Sequence, residues 1–241
     1  MAPGERRGTG VIGGELVGAV LVAAGRSTRM GFDKLWADLG GRPVLAWSLS
    51  TLAGCAALDR LIVVSGDDRI DETWRLVGRT VPARLRARTI AGGDRRRDSV
   101  AAGLAALGGC VWVLVHDAAR PFLSEAVIAR GLFEVVRTGA CVAALPARDT
   151  IKRVDLDGTV LETPPRQQLW TVQTPQIFRR DLVLEALAAS DEDATDEAAL
   201  IERHGGTVRV FEGETTAFKI TTPDDLEMAR ALLALRTRPL G

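Results

Sequence analysis

Residues 17–34 join a short apolar run to a loop that is rich in small and cationic residues. The run, residues 17–24, has the length and composition of a strand buried on both faces of a sheet. Small residues end the run and cations follow it: Ala23, Ala24 and Gly25, then Arg26, Arg29 and Lys34. Open α/β sheets bind ligands at the carboxyl ends of their strands, and bare amides with cations favour a polyphosphate. The alternative interpretation is a strand followed by a solvated turn.

The loop lacks the two common phosphate-binding signatures. The spacing of Gly25 and Gly31 gives no GxGxxG pattern, and no GK[ST] sequence follows. A Walker loop is therefore excluded, and a nicotinamide-dependent oxidoreductase is disfavoured.

The composition narrows the class of protein. The 241 residues suffice for one large α/β domain with a sizeable core. Lys plus Arg and Asp plus Glu both number 31, which argues against a mainly electrostatic nucleic-acid binder. No apolar run reaches the length of a membrane span, so we expect no membrane partner. With only two histidines, a His-based zinc site is not expected.

The cysteines and the N-terminus suggest a compartment and a domain boundary. The three cysteines are widely spaced, and we interpret them as reduced core thiols of a cytoplasmic protein. Residues 1–15 carry charges and glycines but no apolar core, unlike a signal peptide. We expect a flexible extension there and a single folded domain over residues 16–241.

Apolar runs alternate with helical patterns through the first half of the chain. Further strands are predicted at residues 61–64, 85–90, 111–115 and 141–145, with helices at 43–52, 67–77, 98–107 and 124–136. This order predicts a Rossmann-like α/β fold, a mostly parallel sheet with helices on both faces. Arg84, Arg86 and Arg88 alternate with apolar residues, which places the third strand at an edge. Ser124 is the predicted N-cap of its helix.

Two more loops follow predicted strands. Residues 92–99 combine Gly92 and Gly93 with an arginine run, and Ser99 lies near a helix N-terminus, where anions are favoured. In residues 116–121, Asp117 suits a hydrated Mg²⁺ that bridges phosphates. The alternatives are an ordinary strand-to-helix turn with solvated arginines and a structural pair of Asp117 with Arg120.

The alternation breaks at about residues 148–170, where two short polar strands flank a hairpin turn at Asp157-Gly158. Such a hairpin is marginally stable alone and needs a partner surface. We interpret it as a β-arm that packs against a second copy of the chain in a homodimer. The alternative is a flexible hairpin on the same domain.

The remaining chain returns to the α/β pattern. We predict a tight loop at residues 173–176, helices at 181–188 and 195–204, and strands at 207–211 and 217–220. Thr222 is the predicted N-cap of the last helix, with Pro223 as its first residue. Lys219 alternates with apolar neighbours and so points to the opposite face, where it could simply face solvent.

These motifs together resemble those of the 2-C-methyl-D-erythritol 4-phosphate cytidylyltransferases, sugar nucleotidyltransferases of the non-mevalonate isoprenoid pathway. The resemblance covers about residues 17–234, and its most specific parts are residues 116–121 and 218–221. The matching pieces are Ala23-Ala24-Gly25, Arg29-Met30-Gly31, Lys34, Gly92-Gly93-Asp94, Asp98-Ser99-Val100, Val113 to Pro121, Asp149-Thr150-Ile151-Lys152, Gln173-Thr174-Pro175-Gln176, Thr195-Asp196-Glu197 and Phe218-Lys219-Ile220-Thr221.

The resemblance implies an activity and a role for each matching residue. The activity is transfer of a cytidylyl group from CTP to 2-C-methyl-D-erythritol 4-phosphate, giving 4-diphosphocytidyl-2-C-methyl-D-erythritol and pyrophosphate. Arg29 and Lys34 would stabilise charge on the α-phosphate, Lys219 would position the sugar phosphate, and Asp117 would bind Mg²⁺ or another divalent cation. Thr150 and Arg166, on the arm, would reach the substrate phosphate in the partner's site. The nucleotide-binding residues would be Ala23, Ala24, Gly25, Gly92, Asp94, Ser99 and Ala118.

Two positions depart from the family pattern. Ser27 stands where the family usually has a second Gly, and Asp33-Lys34-Leu35 stands where it has Pro-Lys-Gln. The first change would stiffen the loop, and the second removes a polar side chain beside Lys34. The scarcity of histidine suits the chemistry, because a phosphate nucleophile needs charge neutralisation and alignment and no strong base.

Two other functions remain open from the sequence. Ribitol 5-phosphate cytidylyltransferases share most of these motifs and differ in the acceptor. A catalytically silent nucleotide-binding regulator belongs to another class, and metal-dependent pyrophosphate release would exclude it.

Overall fold

A computed structural model describes residues 12–25, 31–190 and 196–237. In this part of the chain, nine strands and seven α-helices occur in the following order: β1 (Val17–Ala23), α1 (Val44–Gly54), β2 (Arg60–Ser65), α2 (Ile70–Thr80), β3 (Arg86–Ala91), α3 (Arg96–Ala106), β4 (Trp112–Asp117), α4 (Glu125–Val135), β5 (Ala140–Pro146), β6 (Arg153–Val154), β7 (Val160–Glu162), β8 (Trp170–Arg179), α5 (Arg180–Ala189), α6 (Glu197–Arg203), β9 (Arg209–Glu212) and α7 (Pro223–Thr237).

Seven strands form the main sheet in the order β3-β2-β1-β4-β8-β5-β9. The strands β3, β2, β1 and β4 are mutually parallel, and β9 is parallel to β5. Only β8 runs against its neighbours in this sheet, pairing antiparallel with both β4 and β5. The predicted α/β fold with a mostly parallel sheet is confirmed. The arginine-bearing β3 is the edge strand, also as predicted.

Alternate residues of the central strands point into two cores, one on each face of the sheet. Ala19 and Leu21 of β1 pack with side chains of α1 and α4, whereas Val20 packs with α3. Helices α5 and α6 also cover the second face, and α7 closes a smaller cluster around Leu39 and Phe122. Burial on both faces explains why these strands are continuous apolar runs with no polar alternation.

Helix termini follow the expected capping chemistry. The Ser124 hydroxyl accepts a hydrogen bond from the Val127 amide, and Thr222 accepts one from the Asp225 amide. The predicted caps of α4 and α7 are therefore confirmed. Helix α6 begins at Glu197 with Asp196 as its N-cap, whose carboxylate accepts from the Ala199 amide.

Two local predictions are wrong. Residues 173–176 lie inside the ten-residue strand β8, where we expected a tight loop. The β5–β8 register shifts between Val142 and Ala144, and such a bulge tolerates Pro175, which cannot donate to a regular ladder. Residues 217–220 form an extended segment outside the sheet, tied through the Ile220 amide to the Ala119 carbonyl at 2.9 Å.

The predicted hairpin exists as the two-stranded sheet β6-β7. Gly158 takes the left-handed conformation, with φ of 83°, and the Asp155 carboxylate accepts from the Asp157 and Thr159 amides. Both strands are exposed along their whole length. The hairpin therefore stands away from the two cores.

The residues just before β1 are attached to the folded domain, and the three cysteines lie inside it. Residues 12–15, part of the predicted flexible extension, are attached to the fold, because Ile12 packs on the core and Glu15 accepts the Trp112 indole hydrogen bond at 2.7 Å. Cys55, Cys110 and Cys141 are free and buried. Among the helices described, none has the length and apolar character needed to cross a membrane.

Candidate functional site

A cleft of about 1090 Å³ opens at the carboxyl ends of β1, β2, β3 and β4. Each strand contributes the residues that follow it, so the parallel topology gathers four loops at one edge. The lining residues used below are Ala23, Ala24, Gly25, Lys34, Gly92, Asp94, Arg96, Ser99, Asp117 and Lys219.

The glycine loop after β3 fits closely against the end of β1. A Cβ atom on Gly92 would lie 2.4 Å from the Cβ of Ala24 and 2.7 Å from the Oγ of Ser99, so a larger residue would displace this wall. The Ser99 hydroxyl accepts a hydrogen bond from the Gly93 amide at 3.1 Å. Glycine is thus required at position 92 because the loop approaches Ala24 closely, and the Ser99 hydroxyl fixes the conformation of the loop.

The three arginines after this loop point in different directions. Arg95 pairs with Asp98 in a capping box at the start of α3. Arg97 donates to the carbonyl oxygens of Leu187 and Ser190. Arg96 reaches the end of β4, where its NH2 lies 3.4 Å from Oδ1 of Asp117.

Asp117 is the central carboxylate of the cleft. Its Oδ2 accepts from the Lys219 ammonium at 2.8 Å, and its side chain is 11% exposed. Burial opposes ionisation, but Arg96 and Lys219 outweigh it and hold the pKa of Asp117 far below its usual range. Asp117 is therefore ionised at neutral pH, and Lys219 is not the solvent-facing lysine of the alternative interpretation.

The alternative partner of Asp117 is engaged elsewhere. The Arg120 guanidinium donates to the Ala217 carbonyl at 2.8 Å, which secures the segment that carries Lys219. Arg120 therefore supports the site from behind. The ion pairs of Asp117 described here are with Arg96 and Lys219.

A directed hydrogen-bond chain lies beneath Asp117. The Asp117 amide donates to the Thr174 hydroxyl at 3.1 Å, which leaves that hydroxyl to donate to Nδ1 of His116 at 2.9 Å. Nε2 of His116 then donates to the Arg120 carbonyl at 3.3 Å, which fixes the neutral tautomer. Burial lowers the pKa of His116 to about 4. His116 is thus a structural residue, turned away from the cleft.

A second carboxylate supports Arg96 from α6. Oε1 of Glu197 lies 2.6 Å from NH1 of Arg96, and the Glu197 side chain is 2% exposed. Burial raises the pKa of Glu197 against the opposing effect of Arg96. Sequence reasoning assigned no role to Arg96 or Glu197. The arginine run and the Thr195-Asp196-Glu197 motif were visible, but neither shows which side chain turns inward.

The structure separates the predicted site residues into four groups. Those that line the cleft together are Ala23, Ala24, Gly25, Lys34, Gly92, Asp94, Ser99, Asp117 and Lys219. Arg29 and Ser27 lie outside the described residues. Ala118, predicted to bind nucleotide, is fully buried beneath the cleft, with its amide bound to the Val22 carbonyl and its own carbonyl bound by Ser48. The neighbouring Ala119 lines the cleft in its place.

Thr150 and Arg166 lie on the exposed arm and do not line this cleft. The Arg166 guanidinium donates to the Arg148 carbonyl at 3.0 Å, at the base of the arm. Leu35 belongs to the core below β1 and is 5% exposed. Its apolar side chain therefore serves packing at the position where we noted a departure from the family pattern.

A parallel sheet that gathers small residues, cations and carboxylates at its carboxyl edge, without the dinucleotide signature, is the arrangement of a nucleotide-dependent transferase. The class that this fold and cleft define is that of the nucleotidyltransferases.

Comparison with known proteins gives the family. A family model described as 2-C-methyl-D-erythritol 4-phosphate cytidylyltransferase matches residues 17–235. Proteins of that name from Dehalococcoides mccartyi and Rhodococcus jostii are 43% and 44% identical over 220 and 219 residues, covering 91% and 89% of this chain and 96% and 94% of theirs. The chain therefore belongs to the 2-C-methyl-D-erythritol 4-phosphate cytidylyltransferase family.

Solved structures agree with this assignment. The 4-diphosphocytidyl-2C-methyl-D-erythritol synthase of Anaerococcus prevotii superposes with a TM-score of 0.82 at 30% identity, covering 91% of this chain and 99% of that one. The 2-C-methyl-D-erythritol 4-phosphate cytidylyltransferase of Thermus thermophilus gives a TM-score of 0.71 at 35% identity, covering 89% and 98%.

Proposed function

We propose that this protein transfers a cytidylyl group from CTP to 2-C-methyl-D-erythritol 4-phosphate and releases pyrophosphate, a step of isoprenoid precursor biosynthesis. The observation that carries the proposal is the cleft in which Arg96 and Lys219 pair with Asp117, and which Lys34 and the bare backbone of residues 23–25 also line. Such a site combines positive charge for a triphosphate with close backbone access. Membership of the family supports the assignment.

The chemistry requires alignment and charge neutralisation. A phosphate oxygen of the sugar phosphate forms a bond to the α-phosphorus of CTP, while the bond from that phosphorus to the α,β-bridging oxygen breaks. The electron pair leaves on pyrophosphate. Lys34, together with Arg29, neutralises the α-phosphate, and Lys219 orients the attacking phosphate. No general base is needed, which agrees with the inward, neutral His116.

Nucleotide binding is assigned to the loops after β1 and β3. The backbone of residues 23–25 approaches the nucleotide, and Gly92, Asp94 and Ser99 form the opposite wall. Ser99 acts through the loop, because its hydroxyl binds the Gly93 amide.

The donor set suits Mg²⁺ or another divalent cation supplied with the nucleotide. The described residues contain no group of three or more acidic, histidine or cysteine side chains that could hold a metal alone. Mg²⁺ typically takes one or two carboxylates and completes its shell with phosphate oxygens and water, and Asp117 supplies one ionised carboxylate in the cleft. When bound there, the ion would polarise and orient phosphate oxygens.

We further propose that the chain forms a homodimer through the arm. Leu156 in the turn is fully exposed, and Val160 and Leu161 of β7 are half-exposed on a hairpin that is too short to fold alone. A twofold partner would cover these side chains. Thr150 and Arg166 would then serve the phosphate of the partner's substrate, which accounts for their distance from the cleft of their own chain.

Metal-dependent pyrophosphate release tests the activity. Wild-type protein with CTP, 2-C-methyl-D-erythritol 4-phosphate and Mg²⁺ should release pyrophosphate, and omission of any one component should stop the release. Protein that bound CTP yet released no pyrophosphate with all three present would instead be a nucleotide-binding regulator.

A further inference from the structure

We propose that Arg96 is a further phosphate-binding cation of the cleft and that Glu197 is the positioning residue that keeps it there. The inference rests on the proposed function and extends it. Neither residue was among the site residues that the sequence motifs suggested.

The two ion pairs of Arg96 are unequal. NH1 of Arg96 lies 2.6 Å from Oε1 of Glu197, whereas NH2 lies 3.4 Å from Oδ1 of Asp117. The first distance is that of a strong charge-assisted hydrogen bond, and the second is at the limit of a hydrogen bond. Glu197 is therefore the anchor of the guanidinium, and the contact with Asp117 is the one that can be exchanged.

The burial of Glu197 is not explained by a need for stability. Its side chain is 2% exposed, and its Oε2 has no hydrogen-bond partner among the described residues. A buried ion pair gives weak support to stability, and an apolar pair of similar volume often serves as well. The buried carboxylate of Glu197 is explained if the cleft needs the Arg96 guanidinium to be held in one orientation.

Three successive ion pairs link four charges of alternating sign: Glu197, Arg96, Asp117 and Lys219. When Asp117 engages a divalent cation and phosphates, its hold on Arg96 weakens. Glu197 stays buried and keeps its stronger bond, so NH2 of Arg96 remains directed into the cleft. A guanidinium held at one side presents a planar fork that suits a phosphate.

The neighbouring arginines cannot replace Arg96. Arg95 is committed to Asp98, and Arg97 to carbonyl oxygens at the end of α5. Arg96 alone of this run makes an ion pair with Asp117 among the contacts described. Arg95 and Arg96 both line the cleft, but the described ion pair with Asp117 is made by Arg96.

The test measures CTP binding by calorimetry with Mg²⁺ present and the sugar phosphate omitted, so that no turnover contributes. Glu197→Gln keeps the shape and removes the charge, and we expect it to weaken CTP binding about tenfold, as for loss of one charge-assisted contact. Arg96→Ala should weaken binding at least as much. In the double variant, Glu197→Gln should add nothing, because its effect passes through Arg96.

Asp196→Asn is the matched control. It lies at the same helix terminus, where Asp196 caps α6 and binds Gln176, but it does not contact Arg96. It should lower thermal stability and leave CTP affinity unchanged. If Glu197→Gln fails to fold, Arg96→Lys provides the test, since it keeps the charge and loses the fork, and CTP binding should again weaken.

Two results would overturn the inference while the proposed function stands. One is wild-type affinity for CTP in folded Glu197→Gln, and the other is additive losses in the double variant. Wild-type protein that bound no CTP even with Mg²⁺ would overturn the inference and the proposed function together.

Discussion

The ammonium of Lys219 lies 2.8 Å from Oδ2 of Asp117, although 102 positions separate the two residues in the chain. Asp117 ends the central strand β4, and Lys219 sits on an extended segment that binds the loop after β4 through the Ile220 amide. Burial of Ile220 on one side turns Lys219 toward the cleft on the other. A lysine that resembles a surface residue in sequence thus lines the cleft.

Asp117→Asn should raise the Mg²⁺ concentration required for half-maximal activity steeply, because the carboxylate is lost and the shape is kept. The fold should persist, since Arg96 retains Glu197 and Lys219 is 34% exposed. A Mg²⁺ titration of pyrophosphate release measures the first effect, and thermal unfolding checks the second. An unchanged titration would contradict the assignment of Asp117 as the metal ligand.

Lys34→Ala should lower turnover by at least about a hundredfold, the usual cost of losing one preorganised charge contact in a transition state. Arg29→Ala should behave similarly. The measurement is the rate of pyrophosphate release at saturating substrates. Arg88→Ala, on the exposed edge strand β3, is the control for loss of a cation elsewhere. Near-native turnover of either loop variant would mean that the loop is misassigned.

Folding stability should fall on acidification between pH 6.5 and about 4 because of His116. Burial lowers the pKa of this residue from 6.5 to about 4, so the unfolded chain binds the extra proton first. The contribution is complete above pH 6.5, is lost progressively as pH falls through that window, and amounts to roughly 3 kcal/mol.

Urea unfolding at several pH values measures this effect. The comparison with His116→Gln isolates it, because other groups titrate in both proteins and only the wild type carries the imidazole. We expect a smaller loss of unfolding free energy in the variant. Equal losses from pH 7 to pH 4.5 in the two proteins would refute the buried neutral histidine.

The proposed homodimer with crossed arms predicts recovery of activity on mixing. Lys34→Ala and Arg166→Ala should each be inactive, Arg166→Ala through poor use of the sugar phosphate with CTP binding spared. Co-refolding should give heterodimers in which one site carries both defects and the other carries neither, so activity should return. Absence of recovery in proven heterodimers would contradict crossed arms.

Most of the sheet could be predicted because its strands are buried on both faces and so form continuous apolar runs. Strand β8 could not, since Pro175 resembles a turn signal and is tolerated because β8 itself bulges there, with residues 173–175 opposite Ala143 of β5. Residues 217–220 were predicted as a strand but do not pair with one. Their alternating pattern arises because Ile220 binds the Ala119 carbonyl and packs with α7.

Site residues could be predicted where a motif singles out one residue. They could not be predicted where neighbouring residues of the same type differ only in the direction of their side chains. Lys34, Asp117 and Lys219 stand beside glycines or strand ends, and they do meet in one cleft. Arg96 is identical in type to Arg95 and Arg97, and only the start of α3 determines which of them turns inward. Ala118 and Ala119 are equally alike, and the hydrogen bond of Ser48 to the Ala118 carbonyl holds the former beneath the surface.

The most direct test of the proposed function is the comparison of two acceptors under identical conditions. Pyrophosphate release from CTP and Mg²⁺ should be measured with 2-C-methyl-D-erythritol 4-phosphate and with ribitol 5-phosphate, giving kcat/KM for each. We predict rapid release with the methylerythritol phosphate and at least about tenfold lower kcat/KM with ribitol 5-phosphate, which lacks the methyl branch and has a longer chain, since a difference of one carbon group typically changes kcat/KM by that much or more. A higher kcat/KM with ribitol 5-phosphate would contradict the proposed acceptor.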